Sequence, residues 1–329
     1  MKKQIFVILF ILLIMSVCSA CHSNDEKTTD PSFSSGDKLK IVTTIFPEYD
    51  WVREIVGKES DNIELTLLLD QGVDLHSYQP SVDDIIKIST CDLFVYVGGE
   101  SDAWVKKALA DAANQNMAVI NLLDTLGAAA KEEALIEGME AEEPEEENTE
   151  ADYDEHVWLS LKNAKLFCSE IAEKLGEADQ KHKESYLANA EYYIRQLDTL
   201  DMAYQKTVAE SSIKTLLFGD RFPFRYFVDD YGLSYYAAFA GCSAETEASF
   251  ETVVFLANKI DALHLKAILQ LESADGKIAS TIRQNTLAKN QKILTMDSMQ
   301  SITAADIQNG VTYLSIMEQN LRILKEALE

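Results

Sequence analysis

The chain has 329 residues, enough for two domains of ordinary size, and its 47% hydrophobic fraction is enough to furnish their cores. A formal net charge of −26 argues against nucleic-acid binding and against an anionic lipid surface read through charge, since both need clustered Lys and Arg. The same charge suits a protein that works near cations.

At the N-terminus, Lys2 and Lys3 precede an apolar run from Ile5 to Met15, followed by Ser16-Val17-Cys18-Ser19-Ala20-Cys21. A basic start, a short apolar core and small residues before a cleavage point predict a secretory signal over residues 1–20. The run is too short for a permanent membrane helix. Ser19-Ala20-Cys21 is similar to a bacterial lipobox, which makes Cys21 the expected lipidated residue and 21–39 a polar tether. Cys18 stands where that motif usually has Leu. The expected location is the outer face of the bacterial cytoplasmic membrane, on a lipid anchor. Cys91, Cys168 and Cys242 are far apart and form no Cys-x-x-Cys, so neither a redox pair nor a thiolate cluster is expected from spacing.

Short apolar runs at 40–45, 63–69, 93–97 and 118–122 predict buried parallel strands, with amphipathic helices near 48–56, 82–89 and 102–113 between them. Pro47 and Pro80 sit where helices start, and Ser81 and Ser101 are candidate caps. The second half repeats the scheme, with strands at 215–218, 235–239, 267–271 and 292–295 and helices near 224–230, 249–263, 277–289 and 311–328. The expected fold is therefore α/β: two Rossmann-like lobes with parallel sheets, 40–175 and 212–329. Between them, 176–211 reads as a long rigid linking helix, a strut whose length fixes the separation.

Within the first lobe, Glu132 to Glu155 carries thirteen carboxylates and no base. Such a run cannot bury enough surface to offset its self-repulsion, so 131–155 is expected to be a mobile acidic loop. It delivers the chain into Asp154-Glu155-His156-Val157-Trp158-Leu159, a histidine flanked by acids and anchored by large apolar residues.

Ligands of open α/β sheets bind at the carboxyl ends of strands. That rule selects His76 in the loop after 63–69, His156 after the acidic run, Asp220 after 215–218 and Asp297 after 292–295. Two imidazoles and two carboxylates make a credible site for a first-row divalent metal. Each has a plainer alternative. His76 and His156 can be capping or core residues, Asp220 can pair with Arg221 or cap a helix, and Asp297 can cap the turn after it. Glu272 also ends a strand and is a rival oxygen donor. His182 and His264 read as structural.

Several segments carry a resemblance to a known family. Gly72–Pro80 resembles the first histidine motif of the ABC-transporter solute-binding lipoproteins for zinc and manganese, and Asp154–Ala164 resembles their second. Phe227–Leu233, Gly241–Ser249 and Leu294–Ser298 are similar to later segments, so the likeness runs from about Lys40 to the C-terminus. It implies two α/β lobes clamping one Zn2+ or Mn2+ ion and passing it to permease and ATPase subunits, without catalysis. An acidic insert before the second histidine is typical of the zinc branch. The family's third ligand, usually His, falls within Gly219-Asp220-Arg221, where no His occurs. A surface metallohydrolase with Glu272 as base is the competing reading, and it would need a coordination position open to water. A surface adhesin has no residue of its own to support it.

Overall fold

The strand-forming runs of each half line up side by side, and each half folds into its own four-stranded parallel sheet. The structure, a computed structural model, describes residues 38–140, 153–243 and 247–329. The expected export signal, the tether with Cys21 and part of the acidic run lie outside the described residues.

In the first half, β1 (Leu39–Thr43), β2 (Ile63–Leu67), β3 (Leu93–Tyr96) and β4 (Ala118–Asn121) are arranged in the order β2-β1-β3-β4. Around them pack α1 (Phe46–Val56), α2 (Val82–Thr90), α3 (Val105–Ala110) and α4 (Leu122–Leu126). Leu93, Phe94 and Val95 of β3 are fully buried, as expected of a central parallel strand covered on both faces. Ser81 caps α2 by accepting the Asp84 N–H, as its position before the helix predicts.

Two helices lead to the second half. In α5 (Leu161–Ala178), Ser160 is the cap, its hydroxyl accepting the Asn163 N–H. A break at Asp179–His182 follows, where the Asp179 carboxylate lies 2.6 Å from His182 Nδ1 and accepts from the Tyr186 hydroxyl. The long α6 (Lys183–Glu210) then runs 28 residues, about 42 Å at the usual rise per residue.

The second sheet has β5 (Thr215–Phe222), β6 (Ser234–Ala240), β7 (Ala267–Leu271) and β8 (Lys292–Met296) in the order β6-β5-β7-β8. Its helices are α7 (Arg225–Tyr231), α8 (Phe250–Leu263), α9 (Lys277–Asn285), α10 (Ala304–Gln308) and α11 (Tyr313–Leu328). His264 ends α8 in the left-handed conformation. The first strand of this half is longer than the apolar pattern predicts. It continues through Gly219-Asp220-Arg221 because its register against β6 shifts between Phe218 and Arg221, a bulge that keeps polar residues in the strand.

One hydrophobic cluster runs through both halves, with Trp51, Trp158 and Tyr313 among its fully buried members. Tyr313 ties three segments together. Its N–H donates to Asp50 Oδ2 at 2.7 Å and its hydroxyl donates to the Trp158 carbonyl at 2.7 Å. The acidic run also departs from expectation, because its first ten residues are engaged rather than free. The Glu140 N–H donates to the Ala238 carbonyl of β6 at 2.9 Å, and Glu140 Oε1 accepts the Ser249 N–H at 2.6 Å. Lys259 reaches Glu137 at 3.1 Å, and Glu132 bridges Tyr153. Backbone N–H groups and a lysine thus offset the repulsion that composition alone foresees.

Candidate metal centre

Local chain geometry sets each imidazole. Asp74 precedes the short 3-10 turn Leu75–Ser77 and its Oδ1 accepts the His76 N–H at 3.0 Å, fixing the turn that carries the His76 ring. Asp154 does the same for His156, accepting its N–H at 2.9 Å. Val157, Trp158 and Leu159, all fully buried, anchor the other side of His156. The result is a contact between residues eighty positions apart: His76 Nε2 lies 3.1 Å from His156 Nε2.

The remaining ring nitrogens both face oxygens. His156 Nδ1 sits 3.1 Å from Asp154 Oδ1, and His76 Nδ1 sits 2.8 Å from Ser101 Oγ. If each Nδ1 carries its proton toward these oxygens, both Nε2 lone pairs face one another. Two lone pairs at that separation need a proton or a cation between them. Around a tetrahedral zinc ion, nitrogen ligands at about 2.0–2.1 Å would stand roughly 3.3 Å apart. An oxygen partner behind each imidazole is also the usual way a metal-binding histidine is oriented.

The electrostatics agree. Burial disfavours a charged His156, yet Asp154 and Glu155 raise its pKa above the ordinary value. Burial and the neighbouring His156 lower His76 to about 3, so this ring stays neutral and able to donate a lone pair. Glu155 lies behind the pair, its Oε1 accepting the Ser101 N–H at 2.8 Å and its Oε2 3.4 Å from His76 Nδ1. Burial raises its pKa. Gly99 makes room for it, since a Cβ there would overlap the Glu155 carboxylate and its φ is +82°.

Of the two acids named from the sequence, Asp297 stands just past the end of β8, whereas Asp220 lies within β5. Asp220 Oδ1 accepts the Arg221 N–H at 2.8 Å and Oδ2 accepts the Leu271 N–H at 2.9 Å, so the carboxylate joins β5 to β7. Arg221, within the segment where the family pattern has its third ligand, instead donates to Asp74 Oδ2 at 2.8 Å, beside His76. Burial and Glu272 push Asp297 up to about 7, and its Oδ1 accepts the Met299 N–H at 2.7 Å. Glu272 accepts from Ser298 N, Ser298 Oγ, Gln300 N and Ser301 Oγ. These bonds commit it to shaping that loop, and the hydrolase reading loses its base.

Among the described residues, one cluster of His, Cys and acid side chains has ligand atoms all within 4.8 Å of one another: His76, His156 and Cys242. The last was missed from the sequence. It stands two residues beyond the end of β6, where the strand-end rule that selects the other residues also points. Burial and Glu133 push its thiol up.

The structure thus combines two four-stranded parallel sheets with a close pair of imidazoles, His76 and His156. The chain belongs to the ZnuA family, described as zinc-uptake complex component A, periplasmic, whose pattern matches residues 41–327. It is 30% identical over 328 residues to the high-affinity zinc uptake system protein ZnuA of Bacillus subtilis, covering 98% of this chain and 97% of that one. It is also 30% identical over 328 residues to the zinc-binding lipoprotein AdcA of Streptococcus pneumoniae. That match takes in 97% of this chain and spans only 60% of AdcA's length. The Zn(II)-bound ZnuA-like domain of Streptococcus pneumoniae AdcA has the same fold, with a TM-score of 0.69 at 28% identity, covering 88% of this chain and 99% of that domain.

Proposed function

We propose that this chain is the metal-capturing component of an ABC importer. It takes up one Zn2+ ion, with Mn2+ the nearest competitor, and presents it to the importer's permease and ATPase subunits. The carrying observation is the Nε2–Nε2 approach of His76 and His156 at 3.1 Å, with an oxygen behind each ring. Kinship with zinc-binding relatives supports the choice of metal. His76 and His156 are the nitrogen ligands. Asp220 and Asp297 are the candidate oxygen donors of the second half, and Asp297 is the stronger, because both Asp220 oxygens already accept N–H bonds. Lipid attachment at Cys21 would hold the protein on the outer face of the membrane, which the lipoprotein and periplasmic descriptions of its relatives support. The chain has no catalytic role in this reading.

The test is metal analysis of protein purified without added metal, then calorimetric titration with Zn2+ and Mn2+ in competition. One ion binds per chain, zinc displaces manganese, and His76→Ala or His156→Ala weakens zinc at least tenfold. Unchanged titrations in both variants would refute the reading.

A further inference from the structure

We propose that Cys242 is the third protein ligand of the captured ion, its thiolate completing a site of two imidazoles and one sulfur that favours zinc over manganese. The inference rests on the imidazole site proposed above and extends it to the donor that sets selectivity. The Cys242 Sγ and a ring nitrogen of each histidine lie within 4.8 Å of one another. At usual bond lengths of about 2.3 Å to sulfur and 2.0–2.1 Å to nitrogen, ligands of a tetrahedral zinc ion stand about 3.3–3.6 Å apart. A small closure around the ion is all the geometry asks.

Three further observations hold the cysteine to this place. Gly241 lets the end of β6 reach the histidine: a Cβ there would lie 3.0 Å from His156 Cε1 and 2.9 Å from the Phe222 carbonyl oxygen. The Cys242 N–H donates to Glu133 Oε1 at 3.0 Å, which pins the backbone at the cysteine to the start of the acidic run. Finally, Cys242 is a free thiol, while Cys91 and Cys168 are buried elsewhere in the core, so a structural disulfide does not explain it.

The segment that supplies the family's third ligand is otherwise occupied here, with Arg221 on Asp74 and Asp220 on the backbone of β7. A thiolate is an anionic donor, which also suits a dication held near the Arg221 guanidinium. Sulfur prefers zinc and disfavours the harder manganese ion. On binding, the Sγ–H bond breaks, the proton leaves to water and the electron pair on sulfur forms the metal bond.

The experiment uses the mature full chain loaded with Co2+, with Cys242→Ser and Cys242→Ala as variants. The wild type should show a near-ultraviolet thiolate-to-cobalt charge-transfer band that both variants lack. Each variant should still bind cobalt through its imidazoles, and its preference for zinc over manganese should fall at least tenfold. In the wild type, zinc should also protect the Cys242 peptide from iodoacetamide, read by mass spectrometry, and that readout needs no cysteine variant. Cobalt binding without the band, or a band that survives in Cys242→Ser, overturns the cysteine assignment and leaves the imidazole pair standing. Failure of the wild type to bind cobalt or zinc overturns both.

Discussion

His156 combines full burial, a carboxylate on Nδ1 and a second imidazole on Nε2. In the proposed site a proton and a metal ion would therefore compete for the same nitrogen pair. Because Asp154 and Glu155 hold the His156 pKa above its ordinary value, the competition sharpens as pH falls below neutrality. Zinc affinity should drop on going from pH 7.5 to 5.5, with uptake of zinc releasing protons, as titration in buffers of different ionisation enthalpy would measure. A pH-independent affinity over that range would contradict this account of the pair. His76, lowered to about 3, contributes nothing to the dependence there.

The two histidines were legible because each follows a predicted strand or a compositional break and neither has an apolar periodic role. Cys242 is legible only by its place just beyond the end of β6, because a lone cysteine carries no spacing signal and its partners come from the other half of the chain. Asp220 shows a different limit. The apolar run ending at Phe218 places it in a loop, but the register shift in β5 keeps it within the strand, where it accepts the Leu271 N–H. Bulges of this kind leave no mark in hydrophobic periodicity.

At the scale of elements, Asp74 does two jobs at once. Oδ1 holds the turn carrying His76, and Oδ2 receives Arg221 from β5 of the opposite sheet. Burial alone would raise its pKa, yet His76 and Arg221 keep it below the ordinary value, so it is ionised at neutral pH. Asp74→Ala should lower stability by about 1–2 kcal/mol through the lost turn cap and ion pair. The same change should weaken zinc by about tenfold as the ring loses its support. Chemical denaturation and calorimetry check the two effects, and a variant equal to the wild type in both would show that the turn is held by something else.

A second junction joins α1 to the start of α11, where Asp50 accepts the Tyr313 N–H and pairs with Arg53. Burial lifts Asp50 from 3.8 to about 6, despite Arg53 and the Tyr313 N–H, which both favour the ionised form. The folded state therefore keeps this proton over a pH range where the unfolded chain has lost it, so the contribution of Asp50 to stability declines as pH rises from about 4 to 6. Asp50→Asn cannot titrate. The stability of the wild type relative to this variant should fall by about 2 kcal/mol between pH 4 and pH 7. A constant difference across that range would mean that Asp50 ionises normally in the folded protein. The strand and helix order around these junctions was readable from the sequence, because parallel strands buried on both faces leave continuous apolar runs. The ties between halves were not readable, since Asp50–Tyr313 and Arg221–Asp74 join residues separated by 263 and 147 positions.

Taken whole, the molecule places its acids unevenly. The net charge of −26 draws divalent cations toward the protein. Residues 132–140 of the acidic run lie along the second half and reach the site through Glu133, which accepts the Cys242 N–H. The two sheets share one hydrophobic cluster, so the imidazoles are presented by a continuous core rather than by a detached loop. In the proposed capture, ligands already placed need little ordering when the ion arrives.

The most direct measurement is anomalous diffraction at the zinc edge from crystals grown with one equivalent of Zn2+. The account predicts a single strong peak per chain at bonding distance, about 2.0–2.1 Å, from both His76 Nε2 and His156 Nε2. A peak that touches neither ring, or several weak peaks scattered over surface carboxylates with none between the imidazoles, would contradict it.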